Sequence, residues 1–158
     1  MTDSNLAEWI LAQTTDALIY SDRAGTIQRW NDAATRTFGF SAGEALGANL
    51  DLIIPEHLRA AHWAGFDKAM ASGSTRLAGR PALTRAAHKT GNKLYVEMTF
   101  ALVKDDAGQV VGSVAIARDV TERVEKERAA RASSTAGTTG TSGSSATSGT
   151  SGVSGTCG

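Results

Sequence analysis

Few residues in this chain can do ligand chemistry. There are three histidines, His57, His62 and His88, three methionines and a single cysteine, Cys157. His62 lies in the stretch PEHLRAAHWAGF, with Leu58, Phe66 and Met70 at four-residue intervals around it. On a helix that spacing puts all four side chains on one face, and three of them are apolar, so the face is expected to look into the domain. An imidazole there has two readings. It is a core histidine hydrogen-bonded to backbone, or a ligand aimed at something bound. His57 falls off that face and His88 stands beside a turn, so both are expected to meet water. Cys157, next to the last residue, is read as a solvent-exposed thiol. No C-x-x-C-H motif and no Cys/His cluster of zinc spacing is present.

Catalytic constellations are missing in the same way. No paired carboxylates, no nucleophile with its base and no phosphate-cradling glycine loop can be found. GFSAG, Gly39 to Gly43, has the form G-x-S-x-G, but no strand leads directly into it as a nucleophile elbow requires. It is read as a turn and a helix cap, and the chain is expected not to be an enzyme.

Composition bounds the partners. Sixteen Lys and Arg balance sixteen Asp and Glu over 158 residues, so no net field draws nucleic acid or an anionic membrane. No apolar run approaches the roughly 18 residues of a membrane span. MTDSNLAEWI carries acidic residues and no basic region, unlike a secretory signal. The expected setting is cytoplasmic.

The elements that must position His62 follow from periodicity. Asn5 to Gln13 is an amphipathic helix with Leu6, Trp9, Ile10 and Gln13 on one side. Ala17 to Ser21 and Thr26 to Trp30 form a hairpin around DRAG. Two short helices follow, Ala33 to Gly39 and Ala42 to Leu46, the second capped by Ser41. The helix of His62 runs to about Ala71 and stops at Ser72-Gly73. Leu77 to Ala87 is expected to be a strand, with Pro81 confining it to an edge or a bulge. Leu94 to Leu102 alternates, with Leu94, Val96, Met98, Phe100 and Leu102 on one face. Val110 to Ala117 is the last strand, and Asp119 to Glu122 opens a charged helix to about Arg131. From Ser133 the chain is nearly all Ser, Thr and Gly, which reads as a flexible tail. The fold class is α+β, with helices on one sheet face and a pocket between the layers.

At this level of detail the residues resemble a known family. GTIQRWNDAATRTFGFSAGEALG is similar to the opening of a PAS domain, and HKTGNKLYVEMTFALVKDDAGQVVGSVAIARDVTER to its last three strands and the junction into a signalling helix. The resemblance implies a five-stranded antiparallel sheet with helices on one face. With the periodic N-terminal helix and the Ser/Thr/Gly tail, the expected division is a helix over 1–13, a PAS domain over 14–119, a signalling helix over 120–132 and a tail over 133–158. LIIPEHLRAAHWAGF is similar to haem-binding PAS sensors, the FixL-type kinases and the direct-oxygen-sensor phosphodiesterases. In those families the histidine at the place of His62 ligates haem iron, which suits a neutral imidazole under a flat apolar slot.

The resemblance implies further positions. Lys68 and Arg76 match basic residues that meet the haem propionates, although read alone they are solvated cations. Met98 and Phe100 match the distal wall. Met98 is core filler or a sixth iron ligand. Where such sensors carry an oxygen-binding arginine this chain has Ala82. Arg80, two residues earlier, shares that side on a regular strand and could replace it. With Phe66 and Met70 on the helix face, the expected cofactor site is His62, Phe66, Lys68, Met70, Arg76, Arg80, Met98 and Phe100. The expected metal ligands are His62 and Met98.

Two functions follow. One is a sensor of O2, CO, NO or redox state that binds haem b through His62 and signals through terminal helices, as a homodimer. The alternative is a haem-free PAS module for small-ligand binding or dimerisation. A flavin adduct photoreceptor would need a cysteine in the pocket, and Cys157 is in the tail.

Overall fold

Asp22 starts the first hairpin. Its Oδ1 accepts from the backbone amides of Ala24 and Thr26, at 2.9 and 3.0 Å. Those bonds tighten the turn between strand β1 (Ala17–Asp22) and strand β2 (Ile27–Trp30). Asn31 then ends β2. Its Oδ1 accepts from Ala34 N, which caps helix α2 (Asp32–Phe38), and from Leu18 N back in β1. One buried amide therefore fixes where the strand stops and the helix begins. A capping box between Ser41 and Glu44 opens the single turn of α3 (Ala42–Ala45), as the sequence suggests.

The computed structural model describes residues 2–136. After a 3-10 turn at Leu50–Leu52 comes α4 (Glu56–Ser72), the helix of His62, terminated by Gly73 in the left-handed region at φ 71°. Strands β3 (Ala82–Ala87), β4 (Lys93–Lys104) and β5 (Val110–Asp119) complete a five-stranded sheet in the order β2-β1-β5-β4-β3, with every pairing antiparallel. The last helix, α5, spans Thr121–Ala136. It runs past the expected end near Arg131 and takes in Ser133 to Ala136, the first residues assigned to the tail. The remainder of that tail, with Cys157, lies outside the described residues. Among the described residues, 2–124 form one compact unit and 125–136 fall outside it.

The core sits on one sheet face. Ile19, Ile27, Phe38 and Val96 are fully buried there, and α2, α3 and the turn before α4 cover them. Leu94, Val96 and Met98 face this core from β4, and Phe100 packs against it. The opposite face of β4 is not simply wet. Tyr95 is buried there with Val120, just before α5, and Val124 in its first turn. The first helix, α1 (Asp3–Gln13), buries nothing; Leu6 and Trp9 are 47% exposed and Ile10 58%.

One expected strand is shorter than its sequence suggests. Residues 77–81 do not join β3. Ala78 and Gly79 take positive φ angles of 48° and 78°, and Arg80 N donates back to Leu77 O at 2.9 Å. The chain turns there, and pairing begins at Ala82, opposite Met98.

Candidate functional site

Helix α4 lies over the sheet with Leu58, Ala61, His62 and Phe66 turned towards it, and between them is a cavity of about 390 Å³. This lies toward the lower end of the roughly 300–1,000 Å³ typical of small-molecule sites. Ile53 and Ile54 close it beside the helix start. From the sheet side come Ile19 and Ser21 of β1, Ser113 and Ala115 of β5, and Met98 and Phe100 of β4. Ala82, Thr84 and Ala86 of β3 complete that wall. The lining is mostly apolar, so a polar atom within it stands out energetically.

His62 supplies such an atom. Its Nδ1 is buried and has no hydrogen-bond partner among the described residues. Burial pushes the imidazole pKa below its ordinary 6.5, against the opposing pull of Asp51 and Asp67. The ring is therefore neutral at pH 7, the protonation state a metal ligand needs. Its plane is fixed by neighbours. The Trp63 ring stands edge-on at 4.9 Å between centroids, and Phe66 lies at 5.8 Å with a 32° tilt. Trp63 is itself anchored, since Nε1 donates to Asp51 Oδ1 at 2.8 Å. Its ring also rests on Gly25 in the β1–β2 turn, where any Cβ would overlap it. Trp30 is buried likewise, with Nε1 donating to Thr35 Oγ1 and to Phe40 O.

Of the expected cofactor positions, the cavity gathers His62, Phe66, Arg76, Met98 and Phe100. Arg76 is exposed and lines the cavity, which puts its guanidinium at the mouth. Three positions stand apart. Lys68 is solvent-exposed on the outer side of α4. Met70 is buried, but one turn beyond the cavity. Arg80 belongs to the 77–80 turn, is exposed, and donates from Nε to Leu77 O at 3.1 Å. Its expected alignment with Ala82 fails because a turn, not a strand, joins them. Sequence reading also missed Ser21, Ser113 and Thr84 on the sheet wall. Their signal was period two: Ser21 follows Ala17 and Ile19 on the inward row of β1.

Of the small residues near His62 on α4, Ala61 lines the cavity while Gly65 faces open space. Among the described residues no group of three or more His, Cys, Asp or Glu converges, so a bare ion has no cage. The donor set suits a cofactor that brings its own metal. It offers one neutral imidazole with an unpartnered nitrogen, flat aromatic neighbours, an apolar slot and one cation at the rim.

The family model described as PAS fold matches residues 11–125. The chain belongs to the PAS family. The oxygen sensor protein DosP of Escherichia coli is 32% identical over 100 residues, covering 63% of this chain and 12% of that protein. The sensor protein FixL of Bradyrhizobium diazoefficiens is 25% identical over 118 residues, covering 75% of this chain and 23% of that protein. The chain thus spans less than a quarter of these relatives. Among solved structures, a PAS domain from Colwellia psychrerythraea superposes with a TM-score of 0.66 at 20% identity, covering 77% of this chain and 99% of that one. An RNA-binding light-oxygen-voltage receptor gives 0.66 at 23% identity, covering 84% of this chain and 37% of that one. These likenesses carry the fold. No helix among the described residues is long and apolar enough to cross a membrane.

Proposed function

We propose that this PAS domain is a sensory module that holds haem b through His62 and passes a gas or redox signal to its terminal helices. The observation that carries the reading is the His62 imidazole, neutral and turned into an apolar cavity with Nδ1 buried and unpartnered. A buried polar atom left without a partner costs about 1–3 kcal/mol, and a ligand that engages it removes that cost. The names of two relatives, an oxygen sensor and a sensor protein, support the same reading.

Haem, when bound, supplies an iron with a position open to O2, CO or NO. The chain does the rest. His62 offers a neutral nitrogen lone pair from a ring held by Trp63 and Phe66. Phe66, Met98 and Phe100 supply apolar surface and keep water out. Arg76 at the mouth offers a positive charge to anionic groups of a ligand. Lys68 and Arg80 are left as surface cations, and Met70 as packing. In this reading residues 14–119 hold the ligand, while 1–13 and 120–132 carry the signal and pair two copies of the chain. The module has no catalysis of its own and works in the cytoplasm.

The test is a visible absorption spectrum of the purified chain titrated with hemin. A saturable Soret band at one equivalent is expected, and His62→Ala should lose at least tenfold in affinity. Absence of the band, or an identical titration in His62→Ala, refutes the assignment.

A further inference from the structure

The cavity has a second polar feature. Ser21 of β1 and Ser113 of β5 stand opposite one another in register, 1% and 8% exposed, with their hydroxyl oxygens 3.2 Å apart. They end two otherwise apolar inward rows, Ala17–Ile19 on β1 and Ala117–Ala115 on β5. Each hydroxyl has one hydrogen and two lone pairs. One donates to the other, so the acceptor's own hydrogen has no partner among the described residues. Both serines line the cavity from the sheet wall, facing the helix that carries His62. Backbone sets their spacing. Gly112 lies against the Ser21 carbonyl and the Tyr20 ring, where a Cβ would collide with both.

Nothing in the sheet requires hydroxyls here. The β1–β5 ladder runs from Ala17↔Ala117 to Asp22↔Gly112 on backbone pairing, and the neighbouring inward pairs are apolar. Other donors are poorly placed for the sheet side. Arg76 is at the mouth, Arg80 is outside, Ala82 has no donor, and Thr84 Oγ1 points to Arg85 O at 3.5 Å. Arg85 also lines the cavity and its Nε is buried without a partner among the described residues, but its guanidinium carbon lies 5.3 Å over the ring of Tyr95, which is buried with Val120 and Val124 on the opposite face of β4.

We infer that the Ser21–Ser113 pair is the cavity's hydrogen-bond donor for a small ligand whose lone pair is turned toward the sheet, a diatomic gas or a small anion. This rests on the haem reading. The free hydroxyl hydrogen rotates to meet the ligand while the other hydroxyl polarises it. Without such a ligand the hydrogen is a buried donor in an apolar wall, so removing both hydroxyls is near neutral or favourable for the empty domain.

The double variant Ser21→Ala/Ser113→Ala tests this in two states. Haem-free, its Tm should equal or exceed that of the unaltered chain. Loaded with hemin, it should keep its Soret band. The ferric form should bind fluoride about two- to tenfold more weakly, the loss of one hydrogen bond. The C–O stretch of the ferrous carbon monoxide complex should move to higher wavenumber. A retained Soret band with unchanged fluoride affinity and unchanged stretch overturns the donor role and leaves the haem reading intact. No Soret band in the unaltered chain overturns both. A haem-free Tm lowered by more than about 4 °C makes the pair a structural staple and also overturns the role.

Discussion

Burial keeps His62 neutral, and that preference links the residue to stability even without a ligand. Its folded-state pKa lies below the ordinary 6.5. As pH falls through 6.5, the unfolded chain takes up the proton first, so protons bind U more than N and stability declines. The decline continues until pH drops past the folded-state value, then levels off. Denaturant titrations at pH 7.5 and pH 5.5 should show a larger loss for the unaltered chain than for His62→Phe, which lacks this proton. Equal losses would mean that the imidazole titrates freely. Met98, 5% exposed on the sheet wall, sets a second expectation. If its sulfur is the sixth ligand, Met98→Leu converts a six-coordinate ferrous haem spectrum to a five-coordinate one; identical spectra reduce Met98 to filler. The inward direction of His62 was legible from Leu58, Phe66 and Met70 alone. The missing partner of Nδ1 was not, because it depends on the cavity wall that strands remote in sequence bring opposite the helix.

At the scale of elements, the β1–β2 turn and α4 are joined by Trp63 lying on Gly25. Gly25 has φ 80° and no room for a Cβ, whereas Gly91 has the same φ with open space around it. Gly25→Ala should therefore cost more than Gly91→Ala, about 2–4 kcal/mol against about 1 kcal/mol, by urea denaturation. Equal costs would show that the ring yields easily. The hairpin, the Ser41 cap and the stop at Gly73 were all legible because each depends on a few adjacent residues. The strand expected over 77–81 fails for a local reason: Pro81 reads as an edge device within a strand, while Ala78 and Gly79, both at positive φ, turn the chain before Ala82. Arg80 followed that error. Its side was inferred from strand alternation that begins only at Ala82. Both faces of β4 being buried at Tyr95 was likewise hidden, since the cover comes from Val120 and Val124 about 25 residues on.

For the whole molecule, the exposed stripe Leu6, Trp9 and Ile10 is the natural place for two chains to meet. Each is about half exposed, so covering it contributes about 1 kcal/mol. If two copies pair through this stripe, Trp9→Ser with Ile10→Ser should shift dimer toward monomer at least tenfold in sedimentation velocity; an unchanged distribution removes the stripe as a pairing surface. The haem-free and haem-bound readings both need a route from cavity to exit helix, and β4 provides one. Leu94 and Val96 stand in the core that walls the cavity, while Tyr95 between them accepts from Val120 N at its carbonyl and donates from its amide to Thr121 Oγ1, both at 2.9 Å.

Those two bonds make the strand a stiff rocker with its fulcrum at one peptide. A ligand that pushes its inner side by a fraction of an ångström cannot do so privately. The same rigid backbone must drag the first turn of the outgoing helix with it, or break the clasp at Thr121.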